Sequence, residues 1–263
     1  MDELSFSTTG DACKLAYRFD GNPGYPVLML SNSIGTDLHM WDGQIPTLTR
    51  QFRVLRYDLR GHGTSDVPAG AYSMDRLGRD VLELLDDLQL RSVRFCGLSL
   101  GGMVGQWLGI HAPERIERLA LCHTAPFIGP TAQWAERIAG ILAADPAATA
   151  EGFLKNWFPT PLLEADSRVI EAFRATLRAT DPRGIAGCMA AVRDMDMRRT
   201  DALIACPTLV IGGRFDTVTL PEHSEQIAAT IPGAKLVMLP AVHLSNVEMP
   251  EAFERVLLDF LSV

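Results

Sequence analysis

Apolar residues in this chain fall into two alternating rhythms. Short, largely apolar runs occur at Val27 to Leu30, Val54 to Tyr57, Ser92 to Cys96, Leu119 to Cys122, Thr208 to Ile211 and Leu236 to Leu239. Runs this short, with so few polar interruptions, predict strands buried on both faces of a sheet. Residues 14–19 instead alternate, with Leu15, Tyr17 and Phe19 set against Lys14, Ala16 and Arg18, which predicts a strand with one face turned inward. Between the runs the period lengthens. Met74, Leu77, Val81, Leu84 and Leu88 recur at helical spacing, and Gly102 to His111 reads as a second helix. Pro221 to Ala229 and Pro250 to Leu261 each open on a proline, which suits a first helical position because its missing N–H is not needed there. Strands alternating with helices predict an α/β fold: a mostly parallel sheet with helices on both faces.

From about residue 130 to 195 the strand rhythm stops. The segment is alanine-rich and helical, broken by Pro146, Pro159, Pro161 and Pro182. It is far longer than a single crossover requires, so it predicts a helical insertion on top of the sheet. The expected division is a core over 1–129, a helical cap over 130–195, and the remainder of the core over 196–263.

Gly97-Leu98-Ser99-Leu100-Gly101 lies between a predicted strand and a predicted helix. In that setting a G-x-S-x-G sequence forms a nucleophile elbow. The turn is so tight that the positions two residues to either side of the serine must be small, and both are glycine. A serine nucleophile requires a base, a carboxylate to orient it, and N–H donors for the developing oxyanion. His243 follows the 236–239 run by three residues, and Asp216 follows the 208–211 run by four, so both belong on the same rim as Ser99. Of the six histidines, only His223 and His243 lie late enough for the order serine, acid, histidine, and His223 sits inside a predicted helix start. The oxyanion donors are expected to be the backbone N–H of Leu100 and that of Ser33, with Ile34 as the alternative. Arg60-Gly61-His62-Gly63 reads as a tight loop on the active rim rather than a metal or phosphate site, and Asp58 as a carboxylate that fixes that loop.

Composition narrows the partners. A net charge of −8 argues against nucleic acid, and no apolar run reaches the roughly 18 residues of a membrane helix. The five cysteines are scattered without a C-x-x-C pair, and the start Met-Asp-Glu-Leu has no basic-then-apolar leader, so a reducing cytoplasm is expected. No metal or cofactor is expected. Residues 130–195 carry 7 Lys+Arg and 8 Asp+Glu, a net of −1, which leaves −7 for the rest. The insertion is thus the part that least repels an anion. Arg193, near its end, is the leading candidate for binding a substrate carboxylate. Trp134, near its start, is expected to line the site or donate its N–H. Lys155 and Arg137 are lesser candidates.

These residues resemble the α/β-hydrolase superfamily. The resemblance rests on the Gly97–Gly101 elbow, Asp216, His243 and the stretch Tyr57-Asp58-Leu59-Arg60-Gly61-His62-Gly63. It implies an eight-stranded, mostly parallel sheet. Where many members carry His-Gly after the third strand, this chain has Leu30-Ser31-Asn32-Ser33-Ile34-Gly35 running on to Trp41-Asp42. That loop, with Cys96 to Gly102 and His243-Leu244-Ser245-Asn246, is similar to the 3-oxoadipate enol-lactonases of aromatic-compound catabolism. The resemblance implies a lactonase acting on a small enol-lactone with a free carboxylate. Another carboxylesterase or a cofactor-free perhydrolase of the same machinery is the first alternative. A non-catalytic ligand receptor on a hydrolase scaffold is the second.

Overall fold

The short apolar runs pair into one sheet of eight strands. In the computed structural model, which describes residues 4–165 and 167–262, these are β1 (Ser5–Thr8), β2 (Lys14–Asp20), β3 (Val27–Ser31), β4 (Arg53–Tyr57), β5 (Val93–Leu98), β6 (Ile116–Cys122), β7 (Thr208–Gly213) and β8 (Lys235–Leu239). Their order across the sheet is β1-β2-β4-β3-β5-β6-β7-β8. The β1–β2 and β2–β4 pairs are antiparallel, and every pair from β4 to β8 is parallel. The carboxyl ends of β3, β5, β6, β7 and β8 therefore share one edge. All six residues of β7 are buried, as a central parallel strand covered on both faces requires. The sequence pattern did not reveal β1, whose four residues show only one buried position.

The helices are α1 (Ile45–Leu48), α2 (Met74–Asp87), α3 (Leu100–His111), α4 (Trp134–Ala143), α5 (Pro146–Trp157), α6 (Thr160–Glu164), α7 (Arg168–Ala179), α8 (Pro182–Asp194), α9 (Pro221–Thr230), α10 (Ser245–Glu248) and α11 (Pro250–Leu261). Two apolar clusters lie against the sheet. One joins Leu77, Val81 and Leu84 of α2 to Phe95 and Trp107; the other joins Phe253, Leu257 and Phe260 of α11 to Leu28, Val54 and Trp41. Between β6 and β7 the described residues hold helices α4 to α8 and no strand. Among the described residues, no helix is long and apolar enough to cross a membrane.

Candidate active site

Ser99 is the single residue between β5 and α3, and its backbone lies in the left-handed region at φ 56°. Such a conformation strains a side-chain-bearing residue and persists only where its surroundings enforce it. Here they do. A Cβ on Gly97 would strike the Gly101 carbonyl, and a Cβ on Gly101 would strike that of Ser31. The Ser99 N–H donates to the Cys122 carbonyl at 2.9 Å, and Thr124 Oγ1 donates to the Ser99 carbonyl at 2.8 Å. The end of β6 thus grips the elbow from both sides.

Asp216 and His243 converge on the same edge. Nδ1 of His243 lies 2.8 Å from Asp216 Oδ2. The other carboxylate oxygen accepts the N–H of Val218 at 2.8 Å and of Thr219 at 3.0 Å, and Thr219 Oγ1 donates to Oδ2 at 2.9 Å. Burial by itself would raise the Asp216 carboxyl. The attraction of the His243 ring in its protonated form and the hydrogen bonds from His123 and His243 outweigh it and hold the group well below the usual carboxylate range. The carboxylate is therefore ionised and accepts only, so His243 carries its proton on Nδ1 and offers Nε2 as a base. Nε2 has no hydrogen-bond partner among the described residues. It does not touch Ser99 within hydrogen-bond distance, although both residues line one cavity of about 790 Å³. Catalytic hydrogen bonds are often slack before substrate binds.

The loop after β3 supplies the neighbouring wall. The Asn32 carbonyl accepts the Gly101 N–H at 3.0 Å, Asn32 Nδ2 donates to the Tyr57 carbonyl, and Trp41 Nε1 donates to Asn32 Oδ1. His62 Nε2 accepts the Gly35 N–H at 2.8 Å while its Nδ1 donates to the Arg60 carbonyl. Burial pushes the His62 imidazole down to about 4, against that second bond, so it stays neutral and able to accept. Asp58 takes the N–H groups of Leu38 and Thr64, as a loop-fixing carboxylate does. Ile34 lines the cavity together with Leu100, whereas Ser33 is fully buried and outside its lining. Among the described residues, the amides of Leu100, Ser33 and Ile34 all meet no protein acceptor, so cavity lining alone separates Ile34 from Ser33.

The helical segment turns one candidate away from the cavity and occupies the N–H of another. Arg193 does not reach the cavity. Its guanidinium pairs with the adjacent Asp194 at 2.6 and 2.7 Å on the surface. Met189 and Val192 of α8 face the cavity, and one further residue turns a helix by roughly 100°, which carries Arg193 away. Trp134 does line the cavity, but its indole N–H is already donated to the Ile128 carbonyl at 2.9 Å. Lys155 is exposed and outside the lining. Arg137 is the one lysine or arginine among the described cavity-lining residues, and its guanidinium lies over the Trp134 ring, 5.1 Å from the centroid. It has no carboxylate partner among the described residues. His223, read from sequence as lying just inside a helix start, also lines the cavity.

His123, not singled out by the sequence pattern, also belongs to the site. It directly follows β6, the same signal that located Asp216 and His243, and it lies against Asp216. The ring nitrogens of His123 and His243 and a carboxylate oxygen of Asp216 lie within 4.8 Å of one another, close enough to suggest a metal site. The hydrogen bonds give a different account: each imidazole turns a protonated Nδ1 to the carboxylate, so neither presents a lone pair there.

Residues 26–250 match the family model described as alpha/beta hydrolase fold. The crystal structure of a hydrolase from Pseudomonas aeruginosa superposes with a TM-score of 0.97 at 62% identity, covering 99% of this chain and 98% of that one. The enol-lactonase from Burkholderia xenovorans superposes at 0.95 with 39% identity, covering 98% and 100%. A 3-oxoadipate enol-lactonase of Acinetobacter baylyi is 37% identical over 93% of this chain and 92% of its own.

Proposed function

Starting from the fact that this chain belongs to the α/β-hydrolase family and is a hydrolase of that fold, we propose that it opens a small enol-lactone bearing a free carboxylate, of the 3-oxoadipate enol-lactone type, with Ser99 as nucleophile, His243 as base and Asp216 as its orienting carboxylate. Ser99 Oγ attacks the ring carbonyl as its proton passes to His243 Nε2. The oxyanion takes the N–H of Leu100, at the positive end of α3, and that of Ile34. As the ring C–O bond breaks, His243 returns the proton to the departing enolate oxygen. A water then attacks the acyl-serine, giving up its proton to His243, which returns it to Ser99 Oγ as the acyl–oxygen bond breaks and the carboxylic acid is freed. The enol, never separated from the acid, tautomerises to the ketone. An enolate leaves readily, so selection of substrate falls mainly to the walls of the cavity.

The observation that carries this reading is the arrangement of one cavity: Ser99 and His243 border it at the sheet edge, and Arg137 borders it from α4. A guanidinium with no carboxylate partner, beside otherwise mostly apolar lining, suits a substrate with one charged end. Trp134 supplies the face on which that guanidinium rests, and its own N–H stays with Ile128. The lactonase names of two relatives point to the same substrate class. The direct test is turnover of the enol-lactone, followed by loss of its ultraviolet absorbance, together with labelling by a fluorophosphonate. Lactone opening and labelling at Ser99, both absent in Ser99→Ala, are expected. Efficient ester hydrolysis with no lactone opening would replace the substrate assignment. Absence of labelling would restore the receptor reading.

A further inference from the structure

Asp216 is held by two histidines. Nδ1 of His123 lies 3.1 Å from the same Oδ2 that receives His243 Nδ1 at 2.8 Å, and the two rings meet edge-on with centroids 6.0 Å apart. His123 is fully buried and outside the lining of the cavity, so it cannot touch substrate. Its backbone stands in the left-handed region at φ 44°, one residue past β6, with its N–H bonded to the Ile211 carbonyl at 2.7 Å. On its far side, Nε2 lies 2.6 Å from Ser245 Oγ, on the helix that follows His243. Burial lowers the proton affinity of His123 despite the carboxylate beside it, so the ring is neutral. A neutral ring that donates from Nδ1 must accept at Nε2, and Ser245 O–H is the donor it meets.

We propose that His123 is a positioning residue of the hydrolytic centre: by sharing Oδ2 of Asp216 it fixes the carboxylate and limits how strongly that carboxylate draws a proton onto His243. A carboxylate oxygen already serving a second N–H has less charge to offer an imidazolium. The relay Ser245, His123, Asp216, His243 ties the ends of β6, β7 and β8 into one hydrogen-bonded chain. The inference rests on the serine-hydrolase reading above.

The other charged or titratable groups near His243 are accounted for. His223 shares the cavity and is pushed toward neutrality by burial. Glu248 accepts the Val242 N–H and is raised by burial. Arg137 borders the cavity from the α4 side. None of these hydrogen-bonds Asp216 or His243 among the described residues, so the donor from His123 can be varied by itself.

Two replacements separate its donor from its bulk. His123→Asn places an amide N–H where Nδ1–H stood, and asparagine tolerates the left-handed backbone. His123→Leu fills space without donating. The readout is the pH dependence of fluorophosphonate labelling at Ser99, which needs no knowledge of the natural substrate. With His123→Leu the midpoint of the acid limb is expected to rise by about 0.5 pH unit or more, while His123→Asn stays near wild type. Equal midpoints in all three proteins would overturn the proposal. Loss of labelling in Ser99→Ala with an unmoved midpoint in His123→Leu would refute the role of His123 alone; labelling that survives Ser99→Ala would refute the parent reading. Should His123→Leu not fold, nitrogen-15 NMR of the wild type decides. A neutral His123 protonated at Nδ1 supports the proposal, and an Nε2–H tautomer or an imidazolium at pH 7 contradicts it.

Discussion

The rim of the sheet and the helices of residues 131–194 are held by different kinds of bond. On the rim, polar side chains are buried and reach far along the sequence. His123 meets Asp216 93 residues away and Ser245 122 residues away, and Gln44 meets Asn246 across 202. In the helical segment, three of the six arginines pair with carboxylates one to three residues away, near the surface: Arg183 with Asp181, Arg193 with Asp194 and Arg174 with Glu171. Exposed pairs of this kind contribute little, typically about 0–1 kcal/mol each, whereas a buried network punishes the loss of any member. The rim is therefore built to keep one geometry, whereas the exposed pairs of the helical segment can be exchanged at small cost to the fold. In the proposed function the first performs the reaction and the second selects what reaches it.

The largest expected break lies on the rim. Ser99→Ala is expected to lower kcat by about 10^4-fold or more with little change in KM, measured on any hydrolysed ester. Asp216→Asn comes next, with a loss of up to about 10^4-fold. The amide would have to face two Nδ1–H groups and at least three other donors with a single carbonyl oxygen, so one histidine must change tautomer or turn away.

A smaller, more selective effect is expected from the helical segment. Arg137→Ala should raise KM for a carboxylate-bearing lactone by about tenfold or more, leave a neutral aryl ester nearly unchanged, and be matched by no such effect in Arg193→Ala. Equal losses on charged and neutral substrates would show that Arg137 supports the helices rather than the ligand.

The smallest effect concerns stability at the opposite end of β7. Asp201 is fully buried, neither carboxylate oxygen has a partner among the described residues, and burial pushes its carboxyl up to about 7 from an ordinary 3.8. The folded state thus keeps a proton that the unfolded chain has lost. Stability at this position is full below about pH 4 and falls as pH rises toward 7. Asp201→Asn should remove that fall. Urea unfolding at about pH 4 and about pH 8 is expected to show a gain of roughly 1–3 kcal/mol for the variant at the higher pH, with little difference at the lower.

The same contrast explains what the sequence disclosed. Ser99, Asp216 and His243 each follow a strand end closely, so local pattern alone placed them on one edge. His123 carried that signal as well, but the expected chain order of the triad drew attention to later histidines. Asn32 and His62 offered nothing beyond a position in a loop, because their work is to hold other loops through contacts made only on folding. In the helical segment the composition marked a less anionic region, yet could not choose among its arginines. That choice depends on helix rotation, which turned Arg193 outward, and on Asp194, which engages it. The indole N–H of Trp134 was lost to prediction for a similar reason: Ile128 takes it through a local turn.

The most direct measurement is the ratio of kcat/KM for 3-oxoadipate enol-lactone to that for a neutral aryl ester, in the wild type and in Arg137→Ala. The account predicts a wild-type ratio well above one that falls by about tenfold or more in the variant. A wild-type ratio below one, or a ratio unmoved by the substitution, would contradict a cavity built to receive a carboxylate-bearing lactone.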